Sequence, residues 1–240
     1  MPLPLILIGA GIASAVGGAI AARRQQEGVK PKPQAPQRPS QPIATGSGTE
    51  GAATPSALRN TARWAPLVDQ LRGDVPAWLL LGHTLVESAG NPNEVPKDKT
   101  GKVILLPGRT EPEKGLLQID QATSKELGRD HAKMFDPAYN IATGVLMYRS
   151  YAKKLLSTTT FASSNDLWRT AYLVFGIGFA GTKPFLPTAP ITWANVAQRI
   201  ILQCGTNCTK CKPSRCRALR ANERVWAVGR TLEMQTHALV

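Results

Sequence analysis

The sequence predicts a mainly α-helical fold, and three observations carry that expectation. Apolar residues recur at helical spacing through "TARWAPLVDQLRG", "VPAWLLLGHTLVESAG" and "DPAYNIATGVLMYRSYAKKLL". Prolines and capping residues stand at the starts of such segments, with glycines at several of their ends. Alternating apolar and polar residues are scarce: only "GKVILLPG" (101–108) reads as a strand or hairpin arm.

Four segments follow one another. Residues 1–24 are expected to be a membrane anchor, because residues 2–22 carry no charge and about 20 apolar residues suffice to span a bilayer. Small residues such as Gly9, Gly11, Ala13, Gly17 and Gly18 permit close helix packing there. A cleaved signal peptide is the alternative, on the small residues Ala19-Ile20-Ala21, but the positive leading region of such peptides is missing. Arg23 and Arg24 follow directly, and the positive-inside rule assigns that flank to the cytoplasm. Residues 25–57, rich in Pro, Gln, Gly, Ser, Ala and Thr, hold too little apolar surface to offset ordering entropy and read as a spacer.

The expected folded domain is 58–203. "TARWAPLVDQLRG" reads as one helix stopped by Gly73, and Pro76 suits the start of the next. "QATSKELG" is a short helix ended by Gly128. Asp136 is an N-cap and Pro137 a first helical residue, while Lys153 and Lys154 complement the negative end of that helix. "SNDLWRTAYLVFG" and "TWANVAQRIILQ" are two further helices, with Asn165 and Thr192 as caps. Residues 204–240 form a cysteine-bearing basic tail. Within it, "RCRALRANERVWAVGRTLEM" reads as a basic amphipathic helix that either binds an acidic partner, a membrane surface or nucleic acid, or packs on the core.

A formal charge of +13 and a pI near 10.0 suit an anionic partner: nucleic acid, acidic lipid, or a cell-wall polymer. Charge alone does not choose among them. One carboxylate stands out. The nearly uncharged run "PAWLLLGHTLV" ends on Glu87, just before the chain breaks at Gly90-Asn91-Pro92. A buried acid is unfavourable unless it is paired, protonated or used. Its neighbours Leu80, Leu81, Leu85 and Val86 would desolvate it, and the last helical turn sets it beside the negative end of the helix dipole. Both push its pKa up. The alternative is an ordinary helix-end carboxylate in water or paired with a nearby base. His83 lies four residues earlier on the same face and either packs inside the protein or joins Glu87 as a metal ligand. Without a third ligand the packed histidine is expected, and no metal or cofactor is assigned.

Three stretches, in order, resemble the lytic transglycosylase domain of the soluble-lytic type, a goose-lysozyme-like fold. Glu87-Ser88 followed by Asn91-Pro92 matches that family's Glu-Ser-x-x-Asn-Pro turn. "GLLQIDQATSKELG" (115–128) is similar to its Gly-Leu-Met-Gln-Ile stretch, and "FDPAYNIATGVLMYRSYAKKL" (135–155) to the Pro-x-x-Asn-Ile helix that follows. The resemblance implies a lysozyme-like domain acting on peptidoglycan glycan strands, with Glu87 as its single catalytic acid and base. Such an enzyme cleaves between MurNAc and GlcNAc and closes the C6 hydroxyl of MurNAc on its own anomeric carbon, giving a 1,6-anhydro end without water. It also implies that Gln118 lines the sugar cleft; Ser88 reads as a substrate neighbour or as a support for the helix end. The family's Ala-Tyr-Asn-Ala-Gly motif falls on Val174–Gly178, so Phe175 replaces its tyrosine and Gly176 its asparagine. Tyr172, one helical turn earlier, is the candidate to supply the missing hydroxyl.

The stretch between Glu87 and Gly115 is longer than in the family and is expected to insert a hairpin near the cleft. Asp98, Glu111 and Glu113 in that insert are the candidates for a second carboxylate if the reaction were hydrolysis. Cys204, Cys208, Cys211 and Cys216 suit two disulfides in an oxidising compartment, or one structural zinc, or neither. Together the segments describe a membrane-anchored enzyme facing the periplasm or cell wall, of a kind that suits a phage virion or an envelope machine. The other readings are a glycan-binding structural module with a weakened site and a hydrolytic goose-type lysozyme.

Overall fold

The computed structural model describes residues 53–204 and 213–237, with side chains described over 53–203 and 217–235. The apolar run 1–24, almost all of the spacer, and the side chains of Cys204, Cys208, Cys211 and Cys216 lie outside the described residues. Among the described residues no helix is long and apolar enough to cross a membrane.

The described chain is mainly helical. Its helices are α1 (Pro55–Ala62), α2 (Ala65–Leu71), α3 (Ala77–Ser88), α4 (Gln121–Glu126), α5 (Pro137–Leu156), α6 (Ser164–Thr182), α7 (Trp193–Cys204) and α8 (Pro213–His237), with 3-10 turns at His131–Phe135 and Lys183–Phe185. The single helix expected over 61–73 is two. Pro66 stands in the first turn of α2, where a missing N–H does no harm, and the chain breaks just before it. Helix α1 also begins inside the expected spacer, capped by the Thr54 hydroxyl, which accepts from Ala57 N at 3.2 Å. Asp136 caps α5 as expected, its carboxylate accepting from Tyr139 N at 2.7 Å. The cap of α6 is Ser163 rather than Asn165, and α6 runs past Gly176 to Thr182 with a break at Gly178.

The strand expected at 101–108 is reduced to one antiparallel bridge, Lys97 with Val103. Asp98 closes that loop by accepting from Thr100 N, Thr100 Oγ1 and Lys102 N. Val103 to Leu106 stay exposed, at 39–47%, and with no second strand or sheet face to cover them the pairing does not propagate.

Helix α3 is the centre of the domain. Every residue from Ala77 to Leu85 is buried, as a helix apolar on all sides requires. Helices α1 and α2 cover one part of it, α6 another, and α8 lies along it. The α3–α8 approach is close enough for backbones to touch. A Cβ at Gly82 would strike the Val225 carbonyl oxygen, and one at Gly229 the Trp78 carbonyl oxygen. Trp78 meets Trp226 edge to face, with ring centres 4.7 Å apart. Val225 and Leu232 are each 1% exposed, a burial that contributes about 1.5–3 kcal/mol apiece. Polar contacts fix α8 to α6 and α7: Arg169 of α6 pairs with Glu223 at 2.6 Å, Trp193 Nε1 of α7 donates to Glu223 at 2.7 Å, and Asn222 Nδ2 donates to the Arg169 carbonyl at 2.6 Å. Of the roles open to the basic tail helix, packing on the core is therefore the one observed. A smaller apolar cluster of Leu173, Phe185, Ile191, Val196, Ile200 and Ala218 seats α7 beside it.

Candidate active site

Glu87 sits where α3 stops. The next two residues leave the helix: Ala89 adopts left-handed backbone (φ 51), and Asn91 N donates to the Ser88 carbonyl at 2.9 Å. The turn is held from outside, because Trp64 Nε1 and Arg63 both donate to the Gly90 carbonyl, at 2.9 and 3.2 Å. Ser88 is buried, and its hydroxyl donates back to the Thr84 carbonyl at 2.8 Å. That bond belongs to the helix end, so the Ser88 hydroxyl supports the turn that carries Glu87.

Facing Glu87 is the loop Gly115–Asp120, closed by an antiparallel bridge between Lys114 and Ile119. Gln118 has left-handed backbone (φ 44) and lines the cleft, as the resemblance implies. Its amide donates to the Glu94 carbonyl at 2.9 Å and the Gly115 carbonyl at 2.8 Å. Both N–H groups are thereby used, leaving the amide oxygen to accept a further hydrogen bond. The residue that shapes this loop is Asn140, the asparagine of the Pro-x-x-Asn-Ile start, to which the sequence reading gave no role. It is fully buried, accepts from Leu117 N at 2.9 Å, and donates to the carbonyls of Lys114 (3.0 Å) and Met134 (2.9 Å). Replacing Asn140 by Ala takes this partner from Leu117 N and the Met134 carbonyl, while the Lys114 carbonyl keeps its bond from Ile119 N. The expected result is a loss of about 2–4 kcal/mol of stability in denaturant titration.

Glu87 opens onto a cavity of ≈ 390 Å³ whose lining includes Glu113, Gln118, Asp120, Tyr151, Tyr172 and Phe175. Burial is the first cause, and the nearby Glu113 carboxylate the second, that push the Glu87 carboxyl up to about 7. Tyr172 works the other way. Its hydroxyl donates to Glu87 Oε1 at 3.4 Å and so favours the charged form. The hydroxyl absent at Phe175 is thus supplied from one turn earlier on α6. Glu113 is itself shifted upward, by burial and then by Asp120. Of the three insert carboxylates, Glu113 alone lines the cavity. Asp98 is spent on its own loop, and Glu111 pairs with Lys114.

His83 is buried, with Nδ1 2.8 Å from the Tyr148 hydroxyl and its ring between Tyr172 and Phe175. Burial holds it neutral, with its pKa down at about 3, and it packs under the site as a hydrogen-bonded core histidine. No cluster of three metal-ligating side chains occurs among the described residues. Phe175 contributes an apolar wall, its ring centre 4.4 Å from that of His83. Gly176 meets α8: a Cβ there would stand 3.0 Å from Ala218 Cβ, so an asparagine would hold the two helices apart. Arg217, Ala218 and Ala221 of α8 also line the cavity. The sequence reading missed them as site residues because α8 lies far along the chain from every motif.

Residues 69–172 match the family model described as the transglycosylase SLT domain, a stretch that runs from α2 to Tyr172 and leaves Phe175, α7 and α8 beyond it. No curated protein matches the chain.

Proposed function

We propose, from the match of residues 69–172 to the transglycosylase SLT domain, that the protein is a lysozyme-like lytic transglycosylase that cuts glycan strands between MurNAc and GlcNAc and leaves 1,6-anhydro ends. The observation that carries this reading is a lone carboxyl, Glu87, poised at about 7 in a cavity and touched by a tyrosine hydroxyl. At neutral pH a large fraction of Glu87 is protonated and can give its proton to the glycosidic oxygen. The resulting carboxylate is stabilised by Tyr172 and takes the proton from the C6 hydroxyl of the same MurNAc. The C6 oxygen then closes on the anomeric carbon. One group serves first as acid and then as base, and no water enters.

The test is the product. Peptidoglycan sacculi incubated with the protein should release 1,6-anhydro-muropeptides by mass spectrometry, and Glu87→Gln should release none above background. Equal release by the two proteins would sink the reading. Glu113 supports a second reading, hydrolysis, because it brings another carboxylate into the same cavity. Hydrolysis would yield reducing ends and would make Glu113→Gln as damaging as Glu87→Gln.

The pH profile provides a further check. The specificity constant should fall as pH rises through about 7, because the acid must be protonated. Tyr172→Phe removes a bond to the charged form, so Glu87 titrates higher and the alkaline limb moves to higher pH. Glu113→Gln removes a like charge, so the limb moves to lower pH. Limbs moving in the same direction for both variants would contradict the assignment of Glu87 as the titrating group.

In the same reading residues 2–22 tether the enzyme to a membrane and residues 25–57 let the domain reach the wall, an arrangement that suits local opening of the wall in phage entry or envelope assembly.

A further inference from the structure

Glu87 borders two hollows. Besides the cavity of ≈ 390 Å³, a second hollow of ≈ 500 Å³ opens on its other flank, lined by Thr54, Leu85, Val86, Ser88 and Glu94 among others. A glycan strand cut at Glu87 must extend to both sides of the scissile bond, and Glu87 lines both hollows, which offer room for the two sides. Each hollow contains one basic side chain in its lining: Arg217 in the first and Arg224 in the second. Both come from α8, seven residues and two turns apart, hence on one face and about 10.5 Å apart along the axis. They straddle the catalytic acid.

Arg217 is not needed to hold the helix in place. Helix α8 is already fixed by its glycine contacts with α3 and by the Arg169–Glu223–Trp193 contacts. Arg217 is exposed, with no hydrogen bond or ion pair to another described residue. The first hollow is otherwise acidic, with Glu87, Glu113 and Asp120 on its walls. An anionic substrate group entering it meets one compensating cation. Peptidoglycan supplies such groups at regular places: every MurNAc unit bears a stem peptide ending in carboxylates, so a strand lying across Glu87 presents one on each side of the cut.

We propose that Arg217 and Arg224 read the carboxylates of the stem peptides flanking the bond that Glu87 cleaves, making α8 a selectivity element for peptide-bearing glycan. This rests on the peptidoglycan reading above. A guanidinium suits the role because it offers paired N–H groups to a carboxylate in a fixed fork.

The experiment uses the full chain and two probes: glycan strands with their stem peptides intact, and the same strands after an amidase has removed the peptides. The readout is the ratio of kcat/KM on the first probe to that on the second. Arg217→Gln is expected to lower this ratio about tenfold, mainly through KM on the peptide-bearing probe, and Arg217→Lys to keep it within about threefold of wild type. Arg224→Gln, checked for an unchanged melting temperature, should lower it further. An unchanged ratio, or an equal loss on both probes, overturns the proposal. If the wild-type chain cleaves neither probe, the enzymatic reading fails by itself and binding decides the proposal. Co-sedimentation of the Glu87→Gln chain with each probe gives the ratio of Kd values. Arg217→Gln in that background either collapses the ratio, which supports the assignment, or leaves it, which overturns it.

Discussion

Replacing Glu87 by Gln is expected to lower glycan cleavage by about 10³-fold or more while making the protein more stable at pH 8. The first effect is the removal of the only proton donor proposed at the bond. The second follows from proton linkage. The Glu87 carboxyl titrates near 7 in the folded chain, against an ordinary 4.5. Between these two values the folded state holds a proton that the unfolded state has released. The stability contributed by that proton is fully present below pH 4.5 and is lost as pH rises through about 7. Each pH unit in this window is worth about 1.4 kcal/mol. Glutamine carries no charge to desolvate, so Glu87→Gln should gain about 2–3 kcal/mol relative to wild type at pH 8, shrinking towards zero at pH 4. Urea titrations at the two pH values measure it. A difference independent of pH would mean that the carboxyl is as well solvated in the folded protein as outside it.

The second large effect concerns packing. Gly229→Ala is expected to destabilise the protein by about 3 kcal/mol or more, because its Cβ has nowhere to go except into the Trp78 backbone. The sign is diagnostic. On an exposed helix face, Gly to Ala stabilises by about 1 kcal/mol through helix propensity. Here that gain is outweighed, since α8 must lift from α3 and release Val225, Trp226 and Leu232. Thermal unfolding gives the stability change, and limited proteolysis should show α8 cut first. A stabilised variant would show that α8 does not rest on α3 in solution. The same substitution should also impair cleavage, because α8 carries Ala218 and Ala221 in the wall of the cavity.

Much of this was legible in the residues. Helical spacing located α3, α5, α6 and α7, and the Asp136-Pro137 pair gave the start of α5 because both residues act locally, through one hydrogen bond and one fixed torsion. The apolar approach to Glu87 announced a buried acid, and one helical turn was enough to nominate Tyr172 for the hydroxyl missing at Phe175. What escaped was non-local. The two glycines that let α8 touch α3 are 147 positions apart in sequence (229 − 82), and neither lies in a helical pattern that asks for a glycine. Helix α8 read as a basic amphipathic helix with packing on the core as one of several open roles, and the contacts of Val225, Trp226 and Leu232 that decide among them appear only in the assembled core. Gln118 lines the cavity beside Glu87, but its two structural hydrogen bonds run to carbonyls whose positions depend on the fold of the insert. The hairpin expected in the insert stops at one antiparallel bridge for a physical reason: four consecutive apolar residues with no partner surface do not extend a sheet.

The order in which the cleft is built has its own consequence during synthesis. A nascent chain emerges from its N-terminal side, and domains begin to fold before the chain is finished. Glu87, Gln118 and Tyr172 are all translated well before α8, yet α8 furnishes one side of the cavity and covers the buried face of α3. A ribosome-bound chain that has reached Tyr172 holds every proposed catalytic group and still lacks a complete cleft. The cleft is therefore completed late, only after translation has passed through α8.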